Sequence, residues 1–243
     1  MEFFPLGDSA VVIQVGDSID ETVHHKVRIL SAYLEDHPFP GMIEYVPAFT
    51  TVTVFYDPVR FCDSVCHSKP VGNQLHPSPY TRVCALLEQM LMNLDNKSNE
   101  QQRTVQIPVC YGGEFGPDLE DVAEMNGLTT DEVIAIHSGN EYLVYMIGFA
   151  PGFPYLGGMS ERIAAARRSS PRMVIPAGSV GIAGMQTGVY PIETPGGWQV
   201  IGRTPVGLFK PDEHPPTLLR AGDRIRFHPV TREEYERWKG AEG

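Results

Sequence analysis

Basic residues are scarce in this 243-residue chain: 19 Lys and Arg stand against 30 Asp and Glu, a formal net charge of −11. Affinity for nucleic acid comes mainly from neutralising phosphates, so this balance disfavours a polyanion-binding face. No run of about 18 apolar residues occurs, which leaves no segment able to form a membrane-spanning helix. The opening Met1-Glu2-Phe3-Phe4-Pro5 has no basic stretch leading into an apolar one, so no signal peptide is expected and the chain is read as cytoplasmic. Only four cysteines are present, at 62, 66, 84 and 110. They are read as reduced thiols. Cys62-x3-Cys66 followed by His67 has a zinc-like look, but no second Cys/His pair stands at ligand spacing, and no metal is expected. The chain lacks G-x-x-x-x-G-K-[ST], hence a phosphate-cradling P-loop. Ala177-Gly178-Ser179-Val180-Gly181 has Ala where a nucleophile elbow has Gly, and a β-rich run follows it, so Ser179 is read as a turn residue.

What is present reads as an α+β protein in two parts. Residues 10–15 form a strand. Ile19, Val23, Val27, Leu30 and Leu34 recur every three or four positions, which predicts a helix over 18–37 with Ser18 or Asp20 as its cap. Strands at 42–46 and 50–56 and a helix at 79–94 follow. That order matches a ferredoxin-like split βαβ unit, residues 1–96, that lacks or borrows its last strand. The polar stretch 95–102 marks a boundary. A second part, residues 103–239, opens with a strand at 103–111. Helical patterns near 118–126 and 129–138 come next, the second capped by Thr130, then a strand over 141–149. Asp118, Glu120, Asp121 and Glu124 read as a solvated helix start. Across 141–229 the chain holds 13 Gly and 11 Pro. The runs between these punctuators (172–175, 180–185, 189–193, 198–201, 224–228) remain apolar, so they predict a compact β-barrel or sandwich with tight turns. A closing helix is expected at 231–239.

Three stretches carry chemistry. The loop from Gly148 to Gly158 presents Phe149, Phe153 and Tyr155 between glycine and proline, as a pocket wall or a rigid turn. Arg167, Arg168 and Arg172 form a local basic cluster in an acidic chain. Arg167 and Arg168 read as solvated, whereas Arg172 could offer a two-point guanidinium to a carboxylate or phosphate. Gln186, Tyr190, Trp198, Arg203 and Thr204 recur between turns and could converge on one rim. His137, near a helix end, is a candidate acid/base or hydrogen-bond partner.

These stretches together resemble a known family. Gly148–Gly158, Pro171-Arg172, Pro176–Gly181, Gln186–Pro191, Pro195–Trp198 and Gly202–Pro205 look like allophanate hydrolase subunit 1, whose bacterial members are the B subunit of 5-oxoprolinase and the sporulation-kinase inhibitor KipI. The resemblance implies a cyclophilin-like β-barrel for the C-terminal part. It implies pairing with the C and A subunits of 5-oxoprolinase to cleave 5-oxo-L-proline to L-glutamate, coupled to ATP hydrolysis. With no P-loop in this chain, ATP is expected on a partner. In that setting Arg172 or Arg203 would hold the substrate carboxylate, with Trp198 and Thr204 beside it, while His137, Gln186 and Tyr190 would orient the ring amide. The same resemblance leaves two other roles open: an inhibitor of a sensor histidine kinase, and a carboxyltransferase-like subunit related to urea carboxylase.

Overall fold

The structure is a computed structural model and describes residues 1–65, 77–92 and 103–241. Cys66 and His67 of the zinc-like motif, and the expected boundary at 95–102, lie outside the described residues. The chain divides into two compact units, Met1–Glu100 and Gln101–Gly243. No described helix is long and apolar enough to cross a membrane. Cys62, Cys84 and Cys110 are free thiols.

The first unit contains β1 (Glu2–Pro5), β2 (Ala10–Gln14), α1 (Glu21–Asp36), β3 (Met42–Pro47), β4 (Thr51–Tyr56), α2 (Pro58–Val65) and α3 (Pro79–Met92). Its sheet is antiparallel in the order β1-β2-β4-β3. β4 lies between β2 and β3, the strands that α1 connects. In β4, Val52, Val54 and Tyr56 alternate into the core against Val23, Val27, Leu30 and Leu34 of α1. This is the period of two meeting the period of 3.6 that the sequence displays. Asp20 caps α1, accepting a hydrogen bond from the Val23 N–H at 2.9 Å.

Two elements of this unit fall outside the sequence reading. β1 is four residues long and ends at Pro5, too short to show a period, and it supplies the edge beside β2. α2 had a signal that went unused: Pro58 opens it, and the Asp57 carboxylate accepts from the N–H groups of Val59 and Arg60 at 2.9 and 3.0 Å.

The second unit runs β5 (Thr104–Tyr111), α4 (Leu119–Asn126), α5 (Thr130–Gly139), β6 (Tyr142–Ile147), β7 (Pro154–Gly157), a 3₁₀ turn (Glu161–Ile163), β8 (Arg172–Ile175), β9 (Ser179–Ala183), β10 (Gln186–Val189), β11 (Thr194–Gly196), β12 (Gln199–Arg203), β13 (Arg224–Pro229) and α6 (Arg232–Ala241). Seven strands form one sheet in the order β10-β9-β12-β5-β13-β6-β7, with β5 and β13 parallel. The end strands β7 and β10 approach each other, so the sheet nearly closes into a barrel. Ile107, Val109, Val144, Val180, Ile182, Ile201, Ile225 and Phe227 fill its core. β8 and β11 make a separate two-stranded sheet.

Several boundaries move. The turn expected after residue 185 comes at Gly184-Met185, because Gly184 adopts a left-handed φ of 58° and permits a two-residue hairpin between Ala183 and Gln186. Residues 190–193 are therefore a connection, not a strand. α5 is capped by Thr129 instead of Thr130: the Glu132 N–H donates to the Thr129 hydroxyl, and the Glu132 carboxylate accepts from the Thr129 N–H. Ser179, expected in a turn, opens β9 and is fully buried.

Candidate functional site: an aromatic pocket on the barrel unit

The loop after β6 with Tyr155 of β7, the residues before β8, strands β10 and β11, and the Gly197-Trp198 pair that leads into β12 surround a cavity of about 290 Å³. Phe153 is its centre. The rings of Phe149, Tyr155, Tyr190 and Trp198 all stand edge-on to it, with centroids 5.3–5.8 Å away. Such edge-to-face pairs place the positive ring edge on the negative face of the neighbour. The glycines that punctuate this region let the rings lie against backbone. A Cβ on Gly188 would sit 3.0 Å from Phe153 Cζ and 3.2 Å from Trp198 Cζ3, and one on Gly196 would sit 2.6 Å from the Tyr190 hydroxyl. Phe149 differs from its partners. It is 72% exposed at the cavity mouth and holds a left-handed φ of 67°, a conformation disfavoured for a bulky side chain.

Polar groups interrupt the aromatic lining at few points. Gln186, Arg167 and Arg168 face the cavity. Burial pushes the Tyr190 phenol pKa up, an effect opposed by its hydrogen bond with the Trp198 backbone and by the positive charge of Arg167. The phenol is therefore neutral at ordinary pH, and its ring acts as a wall.

Beside the cavity lies a buried carboxylate cluster that the sequence does not announce. Asp118 is 1% exposed, not a solvated helix-start acid. Its carboxylate accepts from both Arg172 Nη atoms at 2.7 and 2.6 Å, from Arg168 Nη1 at 2.8 Å, and from the Val200 N–H at 2.7 Å. The hydrogen bond to Asp118 raises the Arg172 pKa, against the opposing effect of burial. A lone Asp before a helix gives no sign of this role; the arginine cluster 50 residues downstream is the matching half.

The structure thus brings together Phe149, Phe153, Tyr155, Gln186, Tyr190 and Trp198 on one cavity. The other expected site residues lie elsewhere. Arg172 is turned away and committed to Asp118. Arg203 reaches over the Phe115 ring at 5.7 Å, and its positive charge acts on the Tyr235 phenol. Thr204 is buried, and its hydroxyl accepts from the Val206 N–H. His137 is 0% exposed, in the barrel core between Tyr111 and Thr187, so it does not reach the cavity. Among the described residues no group of three or more His, Cys, Asp or Glu is placed to hold a metal ion.

Residues 1–219 match the carboxyltransferase domain, subdomain C and D, and the chain belongs to that family. Among the proteins it is similar to, the following two carry one name. The 5-oxoprolinase B subunit of Bacillus subtilis (strain 168) is 56% identical over 96% of this chain and 95% of its own length. That of Haemophilus influenzae is 40% identical over 93% of this chain and 97% of its own. The crystal structure of TTHA0988 is similar at a TM-score of 0.74 and 34% identity. That similarity covers 91% of this chain and 40% of the longer TTHA0988 chain.

Proposed function

We propose that this chain works as the B subunit of an ATP-dependent 5-oxoprolinase, which opens 5-oxo-L-proline to L-glutamate while ATP is hydrolysed to ADP and phosphate. The observation that carries the reading is the near full-length identity of 56% to a protein of that name. The cavity suits it, because flat aromatic walls with few polar points accommodate a small planar lactam ring. A lactam carbonyl is a poor electrophile. Phosphoryl transfer from ATP to its oxygen makes the ring carbon electrophilic enough for water to add and for the C–N bond to break, phosphate leaving in a following hydrolysis, and it requires phosphate-clamping residues. With no P-loop motif here, the reading assigns ATP to a partner, either the A or the C subunit. It gives this chain a share of the substrate site. In the same reading the first unit is ferredoxin-like and the second cyclophilin-like.

The family match also supports a second reading, a carboxyltransferase-like subunit. Mixing this chain with the purified A and C subunits, 5-oxo-L-proline and ATP separates the two. Glutamate formation should vanish when this chain is omitted. Unchanged turnover without it overturns the proposal and leaves the carboxyltransferase or the kinase-inhibitor role.

A further inference from the structure

We propose that Arg167 is the carboxylate anchor of the aromatic pocket, and that the pocket takes a flat five-membered ring bearing a carboxylate, with the ring against Trp198 and Tyr190. The proposal rests on the 5-oxoprolinase reading and assigns that substrate to a place on this chain.

Three guanidinium groups lie close together here, but they are not equivalent. Arg172 spends both Nη atoms on Asp118, and Arg168 spends one there. Arg167 lines the cavity, and its side chain forms no ion pair or hydrogen bond with any described residue. The backbone on either side of it is fixed. The Ala166 carbonyl accepts from Gln199 Nε2 at 2.9 Å, and the Arg168 N–H donates to the Gly197 carbonyl at 2.8 Å. Both anchors belong to the segment that carries Trp198, a lining residue. Arg167 is thus an unpaired cation on an immobilised backbone, facing a largely apolar cavity. A guanidinium held this way loses little freedom on gripping a carboxylate by two parallel hydrogen bonds. Gln186 also faces the cavity, and its side-chain amide makes no hydrogen bond with a described residue. One amide can donate to the ring carbonyl and accept from the ring N–H, which gives the lactam edge a partner within the same cavity.

Arg167→Ala and Arg167→Lys in the assembled three-subunit enzyme test the proposal. Arg167 is exposed, so both variants should fold and assemble as the wild type does. For Arg167→Ala, the KM for 5-oxo-L-proline should rise about 10- to 100-fold, the worth of one charge-assisted pair, while kcat changes far less. Arg167→Lys should recover part of that loss, since it keeps the charge without the fork. The full chain titrated with 5-oxo-L-proline and with 2-pyrrolidinone, which lacks the carboxylate, gives a second readout. Arg167→Ala should weaken only the first ligand. Where the enzyme turns over but Arg167→Ala leaves KM unchanged, this assignment is overturned and the subunit reading stands. Where turnover does not depend on this chain, the subunit reading falls, and failure of the full chain to bind 5-oxo-L-proline overturns the pocket assignment with it.

Discussion

Asp118 and Arg172, 54 residues apart in sequence, meet through two parallel hydrogen bonds of 2.7 and 2.6 Å, and Asp118 also holds Arg168, which lines the aromatic pocket. Asp118 joins the start of α4 to the first residue of β8, to the loop at Arg168 and to the backbone of β12 at Val200. Two guanidinium groups and a buried N–H share one carboxylate through four hydrogen bonds, so removing it leaves four donor atoms without their acceptor. Asp118→Ala should therefore cost about 3–5 kcal/mol, the usual consequence of breaking one side of a buried ion pair. Urea unfolding should show the midpoint falling at constant slope. A loss below about 1 kcal/mol would mean that the cluster is not an anchor of the fold.

Gly188 and Gly184 should respond differently to alanine. At Gly188 the new Cβ meets two rings of the cage, Phe153 at 3.0 Å and Trp198 at 3.2 Å, and one of them must move. Gly188→Ala should cost about 1–3 kcal/mol, as overpacking does, and shift the emission of Trp198. Gly184 has open space around its Cβ position but a left-handed φ of 58°. Gly184→Ala should cost about 1–2 kcal/mol through backbone strain alone and leave the emission unchanged. The measurement requires a Trp238→Phe background, because Trp238 is the second tryptophan of the chain and is half-exposed. Equal spectra for the two variants would show that the rings do not pack on Gly188.

How far the sequence led depends on the kind of signal each residue carries. α1 and β4 were legible because their apolar residues repeat at the period of the element they form. The pocket aromatics were legible as aromatic residues gathered between turn residues, but the sequence left open whether they wall a pocket or pack a rigid turn, because residue type does not fix direction. The arginines misled for a physical reason. Residue type shows that a guanidinium can grip an anion, but not which of several has already found one within the protein. Asp118 is the deciding partner, and its position before a helix gives it an ordinary surface explanation. For His137, a helix-end position says nothing about the barrel core that covers it.

His137 supports a prediction about pH. Burial pushes its pKa down from 6.5 to about 3, so it is neutral in the folded protein at ordinary pH. Its tautomer follows from its neighbours. The Thr187 hydroxyl donates to the Gly181 carbonyl at 3.0 Å, so it must accept from His137 Nε2, 2.9 Å away. Nε2 therefore carries the proton, and Nδ1 accepts from the Tyr111 hydroxyl at 2.8 Å. The unfolded chain takes up a proton near pH 6.5, where the folded chain does not. The stabilising contribution is thus complete above pH 6.5 and lost as pH falls toward 3, by about 1.4 kcal/mol per pH unit in that interval. His137→Gln keeps an N–H that can reach Thr187 but cannot titrate. Carboxylates and the remaining histidines titrate alike in both proteins, so the difference in unfolding free energy between wild type and variant isolates this one group. Urea unfolding from about pH 7.5 to about pH 4.5 should show that difference shrinking as pH falls. A difference that stays constant across the range would place His137 in contact with water or with a charge, contrary to the packed core in which it sits.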